Sequence, residues 1–187
     1  ADIWKSRLSW RIMASVFLTI LTIQVTVLAL TVQNEQNAHL YRLRETARQV
    51  IAPTLSGNIL TPLAPPLSLE QANRIIGTSV IDGIVIYSRN FDVISLYGDP
   101  VTLRPKSFDE ATSSYYSADG TFYDTVLRPS EINTSNDNSF QPYYIALRLD
   151  SHTTKQAVKD YVYHSILVMF LLSAFVTTVL MVALSRW

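Results

Sequence analysis

Three histidines, five scattered glycines and no cysteine offer little for histidine–cysteine metal sites, phosphate loops or thiol chemistry. His39, His152 and His164 lack the i, i+4 spacing that sets two imidazoles on one helix face, so they do not form a helical zinc site. Cysteine nucleophiles and cysteine metal ligands are excluded outright. Gly57, Gly77, Gly83, Gly98 and Gly120 make neither a phosphate loop nor a dinucleotide fingerprint. Asn133-Thr134-Ser135 fits a glycosylation sequon and reads as polar loop, and His164 reads as a polar anchor at a membrane boundary. No catalytic residue, metal or cofactor is expected. The 15 Lys+Arg balance 15 Asp+Glu, which leaves no global field to attract nucleic acid.

The spacing that does carry chemistry is one of helix association. Ser15, Thr19, Thr22, Thr26, Ala29, Gln33, Gln36, Leu40, Leu43, Ala47 and Val50 step by four and three, which places them along one side of a continuous helix. The first part is Ser, Thr and Ala, small or hydrogen-bonding side chains that let helices approach in lipid. The last part is Leu, Leu, Ala and Val, where burial from water drives pairing. The seam predicts a homodimer. The plainer explanation is that Leu40, Leu43, Ala47 and Val50 cover the chain's own sheet. In the second apolar stretch Ser173, Ala174, Thr177 and Thr178 form a similar patch, and together the two predict a four-helix membrane bundle.

The elements that hold this seam follow from where charge is missing. No charged residue lies between Arg11 and Glu35, nor between Asp160 and Arg186, and each gap exceeds the ~20 residues that cross a bilayer as a helix. Transmembrane helices are expected at 12–32 and 164–185, the first being too long for a cleaved signal peptide. Lys5, Arg7 and Arg11 before the first and Arg186 after the second place 1–11 and 186–187 in the cytoplasm. The segment 33–163, with eleven Lys/Arg against fourteen Asp/Glu, is then a mildly acidic extracytoplasmic domain.

Within it, 33–52 has no Gly or Pro and predicts a stalk helix that Pro53 stops. Pro62, Pro65 and Pro66 predict an extended linker, and Ser68-Leu69-Glu70-Gln71 is a capping box for a short helix ending near Gly77. Val80 to Ser88 and Val93 to Tyr97 predict a hairpin turned at Arg89-Asn90-Phe91-Asp92, and Asp119-Gly120 turns a second one between 113–117 and 121–127. Pro129 to Gln141 reads as a surface loop. Tyr143 to Asp150 alternates as a last strand with one wet face, and Asp150 or Ser151 caps a helix that runs into the second span.

The run Ile81-Asp82-Gly83-Ile84-Val85-Ile86-Tyr87-Ser88-Arg89-Asn90-Phe91-Asp92-Val93-Ile94-Ser95-Leu96-Tyr97-Gly98 and the strand Tyr144-Ile145-Ala146-Leu147-Arg148-Leu149-Asp150 resemble the first hairpin and last strand of the extracytoplasmic PAS-like, or Cache, sensor domains of bacterial membrane receptors. The resemblance implies an α+β fold: two transmembrane helices flanking a PAS-like domain with a five-stranded antiparallel sheet and a long N-terminal stalk helix. It also implies a ligand pocket on the sheet beneath the connection from about Asp99 to Ser114. Tyr87, Tyr97, Arg104, Tyr115, Tyr123 and Tyr143 are the candidate lining, with the arginine able to take a carboxylate bidentately. The function so implied is the sensory region of an inner-membrane receptor, foremost a sensor histidine kinase. It would relay a small-molecule or protein stimulus from the periplasm to an output domain beyond Trp187. The alternatives are a nucleotide cyclase receptor and a non-enzymatic accessory subunit of a membrane complex.

Overall fold

Helix α1 runs from Arg7 to Ser56, and helix α4 from His152 to Ser185. Both are long and apolar enough to cross a membrane. The computed structural model describes residues 7–56, 67–107, 113–132 and 143–185. The chain falls into two units, Ala38–Lys155 and the pair Ala1–Asn37 with Gln156–Trp187.

Helix α1 does not stop before Pro53, as the sequence predicts, but contains it. A proline this close to the end removes one backbone bond of the last turn and keeps its ring in solvent. Ile51, Ala52 and Leu55 are buried around it, so burial of that turn outweighs the steric bias against a helical residue before proline. Helix α2 (Leu69–Thr78) starts as expected: Gln71 N–H donates to Ser68 Oγ at 3.2 Å and Ser68 N–H donates to Gln71 Oε1 at 3.1 Å. The linker prolines lie outside the described residues.

Five antiparallel strands, β1 (Ile81–Tyr87), β2 (Val93–Gly98), β3 (Ser114–Tyr116), β4 (Phe122–Leu127) and β5 (Tyr144–Asp150), form one sheet in the order β2-β1-β5-β4-β3. Both expected hairpins are present, and β5 enters between them. At the first turn Phe91 adopts a φ of 66°, uncommon for a residue with a side chain, and its ring stacks on Tyr144 with centroids 4.8 Å apart.

One face of the sheet, through Ile84 and Ile86 of β1, Tyr123 and Leu127 of β4 and Ile145, Leu147 and Leu149 of β5, packs with Leu40, Ala47, Ile51 and Leu55 of α1 and Ala72 and Ile75 of α2. Each fully buried aliphatic there contributes about 1.5–3 kcal/mol. The other face is not the wet face that alternation in β5 predicts. Val85, Tyr87, Val126, Tyr144 and Ala146 are buried under Val101, with Leu103 and Phe91 packed against them. The segment after β2 folds back across the sheet and supplies that cover, which alternation within a strand cannot report.

A further difference concerns 129–141. Its first four residues form a helical turn, α3 (Pro129–Ile132), with Ile132 fully buried; 133–142 lie outside the described residues. Proline opens this turn because its missing N–H has no helical partner at that position. Helix α4 begins where the caps predict: His152 N–H donates to Asp150 Oδ1 at 2.8 Å and Lys155 N–H to the Ser151 carbonyl at 3.0 Å.

Candidate functional site

The six tyrosine and arginine positions do not converge. Tyr87 lies within the second-face cluster, 3% exposed, its hydroxyl donating to the Leu103 carbonyl at 3.3 Å. Burial pushes that hydroxyl's pKa up, and the charge of Arg104 opposes the shift. Tyr97 packs on the opposite face and donates to the Leu67 carbonyl at 2.6 Å. Tyr123 is buried in that same core, with Tyr143 packed against it. Tyr115 and Arg104 are exposed. Register and alternation separate Tyr87 from Tyr97: Tyr97 pairs with Ile84, three positions from Tyr87 on β1, and side chains an odd number of positions apart on a strand point to opposite faces. Among the described residues the six positions do not share one face, and Val101 and Leu103 occupy the space beside Tyr87.

What the connection closes over is an ion pair the sequence reading left unassigned. Asp124 and Arg148 face each other in the β4–β5 register. Arg148 Nε and Nη2 donate to Asp124 Oδ1 and Oδ2, both at 2.9 Å, with Asp124 fully buried. The covering segment joins this pair: Thr102 N–H donates to Asp124 Oδ2 at 2.6 Å, and Arg148 Nη2 donates to Thr102 Oγ1 at 2.7 Å. The guanidinium carbon sits 3.9 Å from the Phe122 ring centroid. Hydrogen bonding to Asp124 raises the Arg148 pKa. Asp124 and Arg148, each flanked on both sides by uncharged residues within its strand, were the available signal.

Asp82 of β1 lies in the same electrostatic neighbourhood. Its pKa is raised, first by burial and then by repulsion from Asp150 and Asp99, with Arg148 opposing. A raised carboxylate means that the folded state binds the proton more readily, so ionised Asp82 costs stability above its folded pKa and the cost fades as pH falls. Asp82→Asn is therefore expected to raise the melting temperature at pH 7, with the gain over wild type shrinking as melts are repeated toward pH 4.

A cavity of about 260 Å³ lies elsewhere in this unit, lined by Tyr41, Arg44, Glu45, Arg48, Leu127 and Glu131. The first four residues recur on one face of α1 at helical spacing. Glu131 is brought to them by the α3 turn, and Leu127 by the end of β4. Arg44 Nη2 donates to both Glu131 oxygens, at 2.9 and 3.0 Å, and to the Val126 carbonyl at 3.1 Å. Arg48 holds Glu45 through Nε at 2.9 Å and Nη2 at 2.6 Å, and donates Nη1 to the Glu131 carbonyl at 3.1 Å. The hydrogen bond from Arg48 holds the Glu45 pKa down.

In the seam, Leu40 and Ala47 are buried in the chain's own core, and Leu43 and Val50 pack against it. Those four positions pack with the sheet domain, as the plainer explanation of the spacing expects. Ser15, Thr19, Thr22, Thr26 and Ala29 are exposed. The threonine hydroxyls donate back to carbonyls one turn earlier, at 2.8–2.9 Å, which covers their donors without a second helix. Ser173 donates to Gln24 Oε1 at 2.8 Å, a contact between α1 and α4. Gln24 is two residues from both Thr22 and Thr26, so helical geometry puts it on the opposite side of α1 from the threonines.

No protein-family model matches the chain, and searches of curated proteins and of solved structures likewise return no significant match.

Proposed function

We propose that the chain is the sensory and transmembrane region of a two-span membrane receptor, with a PAS-like extracytoplasmic domain acting through α1 and α4 in a homodimer. One observation carries this reading: the helix with the apolar stretch and the helix that supplies Leu40, Ala47, Ile51, Ala52 and Leu55 to the sheet's core are the same unbroken α1. At the other end β5 passes to α4 within two residues. The most apolar windows of the two helices are 0% and 6% buried within the chain, which distinguishes them from core helices of a soluble protein. A five-stranded antiparallel sheet behind a long N-terminal helix supports the PAS-like reading.

The relay needs two packings of the helix bundle separated by a few kcal/mol, biased by whatever deforms the domain. The exposed threonine face of α1 is the surface left for a second copy. Single cysteines at Thr22 or Thr26 are expected to crosslink in membranes, whereas cysteines at Ala47 and Gln24 do not. Efficient bridging at Ala47 would restore the continuous seam instead.

To test the relay, the chain is fused ahead of a reporter kinase and residues are inserted between Gln33 and Gln36. One inserted residue turns the helix by roughly 100° and is expected to switch output, while seven bring the faces back nearly into phase and restore it. Output indifferent to insertion length would favour the accessory-subunit reading. That reading has one observation of its own, the apolar side chains Val93, Ile94 and Leu96 exposed on edge strand β2.

A further inference from the structure

The sheet ends differently at its two edges. Strand β3, at one, is three residues long and offers little backbone to a further strand, whereas β2, at the other, runs six residues from Val93 to Gly98. Edge strands are commonly blunted by lysine, proline or charge, and β2 carries none of these; its irregularity is the register slip against Ile86 and Tyr87. Among the described residues nothing pairs with its outer side, so the N–H and C=O groups that point away from β1 are left for another strand. The side chains agree with the backbone. Leu96 pairs with Val85 and Val93 with Tyr87, and cross-strand partners share a face, so both continue the second-face apolar layer out to the edge. There the layer ends uncovered, with Val93 58% and Leu96 56% exposed. An exposed carboxylate stands just beyond each end of the strand, Asp92 before it and Asp99 after it, and neither is in an ion pair among the described residues.

Charge decides which kind of strand fits. A second copy paired antiparallel over the whole of 93–98 would set Asp92 of each chain against Asp99 of the other, and like charges directly opposite are destabilising. We propose that β2 is a docking edge for an extended segment of another protein, with alternating apolar side chains bracketed by Lys or Arg. The basic residues would stand about seven positions apart, as Asp92 and Asp99 do. Backbone hydrogen bonds along the edge give such an interface its affinity. Apolar side chains beside Val93 and Leu96, with basic ends beside the two aspartates, give it selectivity. One added strand buries less surface than a permanent interface, so the contact is reversible. The inference rests on the sheet domain alone and holds for a receptor and for an accessory subunit alike.

The full-length chain in uncharged detergent micelles is titrated against a fluorescent peptide, Lys-Val-Thr-Val-Thr-Val-Thr-Lys, and binding is followed by anisotropy. Saturable binding is expected, about tenfold weaker for the same peptide with Glu at both ends and lost when its amides are N-methylated. Leu96→Lys puts a charge on the edge at an exposed position and is expected to weaken the Lys-ended peptide about tenfold. Asp92→Asn combined with Asp99→Asn is expected to keep binding but erase the preference for Lys over Glu ends, which loss of folding cannot imitate. Ser114→Lys on edge strand β3 leaves both properties unchanged. No saturable binding to the wild-type chain, equal binding of the Lys-ended and Glu-ended peptides, or binding insensitive to Leu96→Lys would overturn the proposal. A dimer of the chain itself that Leu96→Lys dissociates would assign the edge to a second copy and overturn it equally.

Discussion

Asp124→Ala is expected to destabilise the sheet domain by about 3–5 kcal/mol, a large share of the roughly 5–15 kcal/mol that keeps a domain folded. The loss is larger than one hydrogen bond because the deletion strands two groups and frees the segment that carries one of them. Arg148, with its side chain 12% exposed, keeps its charge and loses its only ion pair among the described residues. Thr102 N–H loses an acceptor at 2.6 Å, and the segment over the second face loses its tie to the sheet. The pair itself adds little net stability, since desolvating two charges costs nearly what their attraction returns. Hence the double substitution Asp124→Leu with Arg148→Met is expected to recover stability to within about 1–2 kcal/mol of wild type. Urea melts of the three proteins decide it. A double variant no more stable than Asp124→Ala would show that the pair contributes more than mutual charge compensation.

Gly83→Ala is expected to cost about 3 kcal/mol through a different cause, the backbone itself. A Cβ at Gly83 would collide with the Asp99 carbonyl oxygen and lie 3.0 Å from the Asp99 carbonyl carbon. Neither can swing aside as a side chain would. This close approach exists because Gly83 and Gly98 are cross-strand partners and Asp99 N–H donates to the Asp82 carbonyl at 2.8 Å, which starts the chain back across the sheet. Alanine at 83 must therefore push away the same segment that carries Val101, Thr102 and Leu103. The two predictions are coupled: in the Gly83→Ala background, Asp124→Ala is expected to cost less than alone, because the Thr102 contact is already disturbed. Strict additivity in a double-mutant cycle would show that the segment does not link the two sites.

The sequence made most elements legible because local chemistry specified them. The apolar helices follow from missing charge, α2 from its capping box, the second hairpin from Asp119-Gly120, and β5 from its alternation. What stayed hidden depends on partners distant along the chain. Asp124 and Arg148 are 24 positions apart, and nothing local says that β4 and β5 are neighbours. Arg44 and Glu131 are 87 apart, so the charged stripe on α1 reads as a solvated face until α3 is seen to fold against it. Pro53 misleads for a related reason: its local bias is real, and burial of Leu55 overrides it. The seam shows the limit most clearly, since one unbroken periodicity covers two surfaces. Its aqueous half belongs to the chain's own core and its apolar half is exposed.

The central claim is that α1 and α4 cross a membrane and hold the sheet domain on the side opposite both termini. Because the chain has no cysteine, single cysteines report on it directly. Cells expressing variants with cysteine at Ser6, Asn90 or Leu171 are treated with a membrane-impermeant maleimide before and after permeabilisation. The account predicts labelling of Asn90→Cys from outside, of Ser6→Cys only after permeabilisation, and of Leu171→Cys in neither case. Labelling of Ser6→Cys and Asn90→Cys from the same side, or of Leu171→Cys as readily as Asn90→Cys, would contradict it.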